Sequence, residues 1–272
     1  ITRTLAPRAT QAHAMDRPKI PAPLIVTSTI APHLPKSCAA FIGQDMERDQ
    51  TDSVMWGEQG VPVSVRFDDP YYSLENGLAE TCHVFLDGND LPARFQPGFH
   101  IAELGFGTGL NLIAALRAWP TAGTHGPLRF TSFEAFPMAP EDAARALAGF
   151  PEAAPFADIV AEALADPATP LMRPDLELRL ILGDARQTLP SWEGRADAWF
   201  LDGFSPAKNP ELWQPGLLAE VGRHTAPAGT FATYTAAGHV RRGLVAAGFD
   251  VARVPGYGRK RHMSVGRLND GQ

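Results

Sequence analysis

The sequence predicts an α/β fold centred on a seven-strand, mostly parallel sheet, with a small β-rich extension at its amino-terminal side. Three observations predict it. From residue 98 onward, short runs rich in Val, Ile, Leu and Phe alternate with helical stretches, the pattern of a parallel sheet covered on both faces. The first of these runs ends in a glycine-rich turn, Gly105-Phe106-Gly107-Thr108-Gly109, that opens a helix. With 272 residues of which 44% are hydrophobic, the chain can bury one sizeable core and still carry appendages.

Residues 1–55 contain Pro7, Pro18, Pro21, Pro23, Pro32 and Pro35 without sustained periodicity and read as a poorly ordered, proline-rich leader. Arg3, Arg8 and Arg17 stand there against Asp16, a weak likeness to a transit peptide that the prolines oppose, since such peptides form amphipathic helices. Residues 56–97 read as a β extension. Val63 to Phe67 alternates, and His83-Val84-Phe85-Leu86, Asp87-Gly88-Asn89 and the run Leu91 to Phe95 together predict a hairpin. Residues 98–272 form the main domain, with strands near 99–104, 128–134, 176–182, 197–202, 229–235, 249–254 and 262–267 and helices near 109–118, 140–149, 214–224 and 237–247.

An open, Rossmann-like sheet of this kind holds its ligand beyond the carboxyl ends of the strands. Acids at those ends are therefore candidate binding residues. Glu103 ends the first strand, Gly105, Phe106, Gly107, Thr108 and Gly109 make the turn, and Asn111 sits in the first turn of the helix. Glycines let a ligand approach the backbone closely. A dinucleotide fingerprint needs a third small residue at the position held by Leu110. The Glu-x-Gly-x-Gly-x-Gly spacing instead suits S-adenosyl-L-methionine, whose amino-acid end carries no pyrophosphate. Glu134 closes the second strand, where a carboxylate accepts from ribose hydroxyls, and Asp184 follows the third, where it accepts from an adenine amino group. The expected layout is that of a class I S-adenosylmethionine-dependent methyltransferase. Strand-end acids of this kind also serve as ordinary helix caps.

The fourth strand runs into Asp202-Gly203-Phe204-Ser205-Pro206-Ala207-Lys208-Asn209-Pro210. A polar residue followed by an aromatic resembles the Asp/Asn-Pro-Pro-Tyr/Phe loop of amino methyltransferases and points to a nitrogen acceptor. An alkyl amine is mostly protonated near neutral pH, so attack on a sulfonium methyl needs a group to orient the amine and take its proton. Asp202 is the candidate for that task and also a cofactor-side contact. Phe204 is the candidate wall against water or partner for a cationic centre. The alternative is a turn cap and a core aromatic.

The segments Pro62-Val63-Ser64, Phe67-Asp68-Asp69-Pro70-Tyr71-Tyr72-Ser73, Gly77-Leu78-Ala79-Glu80-Thr81 and Val84-Phe85-Leu86 resemble the methyltransferase half of the bifunctional enzymes that make 5-methylaminomethyl-2-thiouridine in tRNA. So do the glycine turn with Leu110-Asn111, Ser132-Phe133-Glu134, Ala198 to Phe204, Pro206 to Pro210 and Val240-Arg241-Arg242, over residues 56 to 267. The resemblance implies methylation of the amine of 5-aminomethyl-(2-thio)uridine at the tRNA wobble position, with Tyr72 and Ser73 closing over the cofactor. Cys82 and His83 stand where the family has an Arg-Tyr pair, Ala135 where it has Lys, Tyr257 where it has Phe and His262 where it has an acid. Many relatives continue into a flavin-dependent domain; this chain stops just beyond the final strand, so the oxidative step is expected to lie elsewhere.

A formal net charge of −6 argues against a general polyanion binder, so a tRNA substrate needs a local basic patch. The candidates are Lys208, the pair Arg241 and Arg242, and the run Arg259-Lys260-Arg261. Each could equally be a solvated surface cluster. Cys38 and Cys82 make neither a disulfide framework nor a zinc site, no metal is expected, and no stretch reaches the ~20 apolar residues of a membrane span. A cytoplasmic protein is the expectation. Two rival functions stand beside the main one: a methyltransferase of small-molecule amines, and a non-catalytic module that only binds S-adenosyl-L-methionine. A nicotinamide dehydrogenase is disfavoured by Leu110.

Overall fold

A computed structural model of the chain describes residues 52–57, 60–73, 76–123 and 125–269, so the leader 1–55 lies outside the described residues except for its last four. The main sheet has eight strands in the order β10-β11-β9-β8-β4-β5-β7-β6. They are β4 (His100–Leu104), β5 (Leu128–Glu134), β6 (Leu171–Arg173), β7 (Leu176–Leu182), β8 (Ala196–Leu201), β9 (Thr225–Thr233), β10 (Phe249–Pro255) and β11 (His262–Leu268). The seven expected strands are all present. The eighth, β6, is a three-residue antiparallel strand on the edge beside β7, too short and too exposed to show a pattern in sequence.

β4 pairs in parallel with β5 on one side and β8 on the other, so the strand order reverses between β4 and β8. Their carboxyl ends therefore splay apart into a crevice, the place where such sheets bind ligands. Helices cover both faces. On one, Leu110–Ala118 and Ala157–Ala165 pack over a core that includes Ile101, Leu112, Ile113, Phe130 and Phe200. On the other, Pro215–Arg223 and Gly238–Ala246 pack over Leu104, Trp199, Phe231 and Phe249. The helix Ala157–Ala165 was not expected. Its buried stripe is only Val160, Ala163 and Leu164, and the flanking Pro151, Pro155, Pro167 and Pro170 mask it as a loop.

The amino-terminal extension differs more. Three short antiparallel strands are present, β1 (Val54–Trp56), β2 (Pro62–Ser64) and β3 (Asp69–Pro70). The expected hairpin over residues 83–95 is not. Gly77–Thr81 is an α-helix capped by the Asn76 side chain, and it continues through a π-helical turn, Cys82–Leu86, and a 3₁₀ turn, Asp87–Asn89. Val84, Phe85 and Leu86 are all buried in succession, which no half-exposed strand could achieve. The Asp-Gly-Asn signal has a different cause. A Cβ on Gly88 would lie 2.8 Å from Ala232 Cβ, and Asn89 is wholly buried, donating to Phe85 O and accepting from Thr230 Oγ1. Glycine is present because the backbone lies flat on the sheet. Among the described residues, no helix is long and apolar enough to cross a membrane, and no group of three or more His, Cys, Asp or Glu is placed to hold a metal.

Candidate active site

The carboxyl ends of β4, β5, β7 and β8 open into a cavity of about 950 Å³. The glycine turn forms its base. Gly105, Gly107 and Gly109 all have positive φ, at 88°, 53° and 74°. A Cβ on Gly105 would sit 2.4 Å from the Asp202 carbonyl oxygen, so glycine is what allows the β4 turn to meet the β8 loop across the switch point. Gly105, Phe106, Gly107, Thr108 and Asn111, expected cofactor contacts of this turn, line the cavity. Gly109 does not. It begins the helix Leu110–Ala118, and its missing Cβ makes room for Val160 Cγ2, 2.7 Å away, on the unexpected helix Ala157–Ala165.

Glu103, another expected cofactor contact, also stands off the cavity lining. It is fully buried beneath the turn. Its carboxylate accepts from Asn111 Nδ2 at 2.8 Å and Ser132 Oγ at 2.8 Å, and burial pushes its pKa well up. The strand end located the acid; the pleat turned it inward. Asn111 donates through the same nitrogen to Asp202 Oδ2 at 2.6 Å, so one amide joins the buried acid to the cavity-lining one. Burial raises Asp202 from 3.8 to about 7, the Asn111 hydrogen bond and the nearby Lys260 opposing part of that rise. Glu134 lines the cavity while accepting from the backbone N–H groups of Phe106, Gly107 and Phe136, so it also braces the turn. Asp184 lines the cavity too, but its carboxylate caps the following helix at Arg186 N and holds the Arg186 guanidinium at 2.9 Å, which lowers its pKa.

The extension closes one side. Phe204 stacks on Phe67 with ring centroids 4.7 Å apart and meets Tyr71 edge-on at 5.1 Å. Tyr71 lies over Gly107, and its hydroxyl donates to Asp52 at 2.5 Å. The carboxylate of Asp69 accepts from Ser205 N, and Lys208 pairs with Asp68. Phe67, Asp68 and Asp69 thus fix the loop that carries Asp202. Lys208, expected as an RNA contact, is engaged in that bracing. Tyr72 and Ser73 line the cavity, Tyr72 donating to Ala146 O at 3.3 Å with burial raising its pKa to about 12.

The opposite side joins Lys260, expected as an RNA contact, to Glu80 and Tyr234, which were not expected at the site. Glu80, buried in the helix Gly77–Thr81, accepts from Lys260 Nζ at 2.8 Å. That ammonium stands 4.1 Å from the centre of the Tyr234 ring, whose hydroxyl donates to Gly203 O at 2.7 Å. All three line the cavity. Arg259, Lys260 and Arg261 are all exposed, and of the three Lys260 alone lines the cavity. Partial burial, then Arg253, Arg261 and Arg241, hold the pKa of His262 below its usual value. A basic surface cluster thus joins Arg241 and Arg261 with Arg253, which had not been singled out; Arg242 is exposed on the same helix as Arg241. Two family departures meet nearby, His83 and Tyr257, with ring centroids 5.9 Å apart.

The cavity fits a ligand rich in hydrogen-bond donors. Asn111 Oδ1 and Asp52 Oδ1 are buried with no hydrogen-bond partner among the described residues, and both residues line the cavity. Unmet buried acceptors are costly, and the ammonium and ribose hydroxyls of S-adenosyl-L-methionine are donors of the required kind. Tyr71→Phe would strip Asp52 of its donor as well. It is expected to lower stability of the free protein by about 1–3 kcal/mol, read as a lower urea midpoint, and an unchanged midpoint would contradict that role for the pair.

The family model for S-adenosyl-L-methionine-dependent methyltransferases matches residues 155–269. The chain is 46% identical over 229 residues to the tRNA 5-methylaminomethyl-2-thiouridine biosynthesis bifunctional protein MnmC of Stutzerimonas stutzeri, covering 78% of this chain and 34% of that protein. It is 46% identical over 239 residues to the protein of the same name from Pseudomonas aeruginosa, covering 82% and 35%. The chain therefore spans about a third of the length of these curated relatives. Among solved structures, MnmC2 from Aquifex aeolicus is similar with a TM-score of 0.63 and 26% identity, covering 88% of this chain and 79% of that one. On these matches, and on a glycine turn and cavity that fit the ligand, the chain has the fold of S-adenosyl-L-methionine-dependent methyltransferases, is similar to them over residues 155–269, and has S-adenosyl-L-methionine as its cofactor.

Proposed function

We propose that this chain methylates the exocyclic amine of a 5-aminomethyl-(2-thio)uridine at the wobble position of tRNA. The observation that carries the reading is Asp202: a carboxylate of raised pKa at the mouth of the cofactor crevice, tied to the cofactor-side helix through Asn111 and flanked by the aromatic wall of Phe204, Phe67 and Tyr71. The names of the relatives at 46% identity supply the nucleoside and the tRNA.

Bound S-adenosyl-L-methionine supplies an electrophilic methyl on a sulfonium. Asn111 and Glu134 are assigned to hold its amino-acid end and ribose. A purine amino group approaching Asp184 would share that carboxylate with Arg186 or displace it. Asp202 accepts a hydrogen bond from the incoming ammonium and then its proton, leaving the nitrogen lone pair free. A base with pKa near 7 is matched to that transfer at neutral pH. Phe204, stacked on Phe67 and edge-on to Tyr71, excludes water from the side facing the extension.

The reading requires RNA for turnover. Labelled S-adenosyl-L-methionine incubated with the chain should label tRNA bearing 5-aminomethyl-uridine and leave free alkyl amines unlabelled; efficient methylation of free amines would favour the small-molecule rival. Binding of tRNA is assigned to the exposed arginines. Replacing Arg242, Arg259 and Arg261 together by Gln should weaken tRNA binding and flatten its salt dependence by about 0.9 log unit per lost phosphate contact, with cofactor affinity unchanged. Identical salt slopes would remove these residues from the interface.

A further inference from the structure

Residues 259–261 form a basic run. All three are exposed, the Lys260 side chain at 46%, but of the three only Lys260 also borders the cavity. There it is held twice, by the Glu80 carboxylate at 2.8 Å and over the Tyr234 ring at 4.1 Å. The pair is buried on its acid side, Glu80 being 8% exposed, and open to solvent on its lysine side, and Tyr234 is anchored by its hydroxyl to Gly203 O, the residue after Asp202. The helix Gly77–Thr81, the end of β9 and the loop between β10 and β11 thus converge on one cation beside the catalytic carboxylate. That convergence borders the same cavity as the glycine turn.

We propose that Lys260 is a positioning residue of the acceptor half: anchored by Glu80 and Tyr234, it keeps a positive charge against Asp202 and the incoming amine, which drives a proton off that pair and frees the amine lone pair. The inference rests on the amine-methylation reading above. The ammonium of the acceptor gives its proton to the Asp202 carboxylate and, through it, to solvent. The nitrogen lone pair then forms the new N–C bond as the C–S bond breaks and its electron pair stays on sulfur, leaving a thioether.

The charges around Asp202 can be named from every side. Glu103 lies behind Asn111, Glu80 is on the helix Gly77–Thr81, Asp69 comes from β3, Lys208 on its own loop is neutralised by Asp68, and Lys260 is the cation of the acceptor side. Lys260 opposes protonation of Asp202 and Glu80 favours it. Substitutions at the two positions should therefore act in opposite directions, which loss of packing alone would not produce.

The test reads the Asp202 carboxyl directly by ¹³C NMR titration of the cofactor-bound protein, assigned by its absence in Asp202→Asn, in wild type, Lys260→Met, Lys260→Arg and Glu80→Gln. Lys260→Met should shift the midpoint up by about 0.5–1 pH unit, Lys260→Arg should restore it, and Glu80→Gln should shift it down. The acidic limb of the single-turnover rate should move in parallel on tRNA bearing 5-aminomethyl-uridine. A midpoint that does not move, or that moves the same way in Lys260→Met and Glu80→Gln, overturns the proposal. Because the titration needs no acceptor, it judges Lys260 even if wild type methylates no tRNA, an outcome that would sink the acceptor reading separately.

Discussion

Asp202→Asn is expected to reduce methyl transfer by about a thousandfold or more while cofactor affinity stays within a few-fold. General base catalysis by one positioned group contributes roughly 10²–10⁴-fold, and the neighbouring carboxylates are already engaged, Glu80 by Lys260 and Asp69 by Ser205 N. An asparagine keeps the volume and can still accept from Asn111, so the crevice should survive. The same substitution should stabilise the fold, and only in a defined pH range. Asp202 titrates near 7 in the folded protein against an ordinary 3.8, so the folded state holds a proton that the unfolded chain has lost between those values. Stability from this group is intact below pH 4 and falls as pH rises to about 7. The gain in Tm of Asp202→Asn over wild type should therefore be near zero at pH 4 and largest at pH 8. Loss of cofactor binding, or a gain that shrinks with rising pH, would make Asp202 a structural anchor.

Gly105→Ala is the second large effect. Its Cβ would meet the Asp202 carbonyl oxygen at 2.4 Å, a backbone atom that cannot swing away, at a φ of 88° that alanine avoids. Strain of this kind costs about 1–3 kcal/mol before the clash is counted. Relief requires the β4 turn and the β8 loop to separate, which disassembles the cofactor and acceptor halves together. S-adenosylhomocysteine binding by calorimetry should fall at least about 100-fold, some 2.7 kcal/mol. Gly107→Ala should be milder, because its Cβ meets the Tyr71 side chain at 3.2 Å, and Gly60→Ala, with open space around it, should leave binding intact despite its positive φ. Equal losses at positions 105 and 107 would refute the backbone-contact argument.

Much of this was legible in sequence because the main sheet is parallel and covered on both faces. Its strands are rich in Leu, Ile and Phe, and those at 128–134 and 176–182 are found at the expected bounds. The glycine turn and the loop after β8 could be read for the same reason: strand ends in such a sheet converge by topology. Side-chain direction could not. Glu103 and Glu134 both end strands, yet one is sealed under the turn and the other borders the cavity. Lys260 sits between two arginines in a run that looks like one surface patch, and only the loop geometry brings it to the cavity. Val84 to Leu86 misled because a buried helical turn and a strand share the same apolar run, and Asp87-Gly88-Asn89 misled because close packing and a hairpin both demand glycine. Tyr234 was within reach: it follows β9, another parallel strand whose carboxyl end meets the crevice.

The central claim is tested most directly by one acceptor comparison. The chain is incubated with S-adenosyl-L-methionine and otherwise identical tRNAs whose wobble uridine carries aminomethyl, carboxymethylaminomethyl or no modification, and the nucleosides are resolved by mass spectrometry. One added methyl on the aminomethyl nucleoside, and on neither of the others, is the predicted result. Transfer to none of them, or equal transfer to unmodified tRNA, would contradict it.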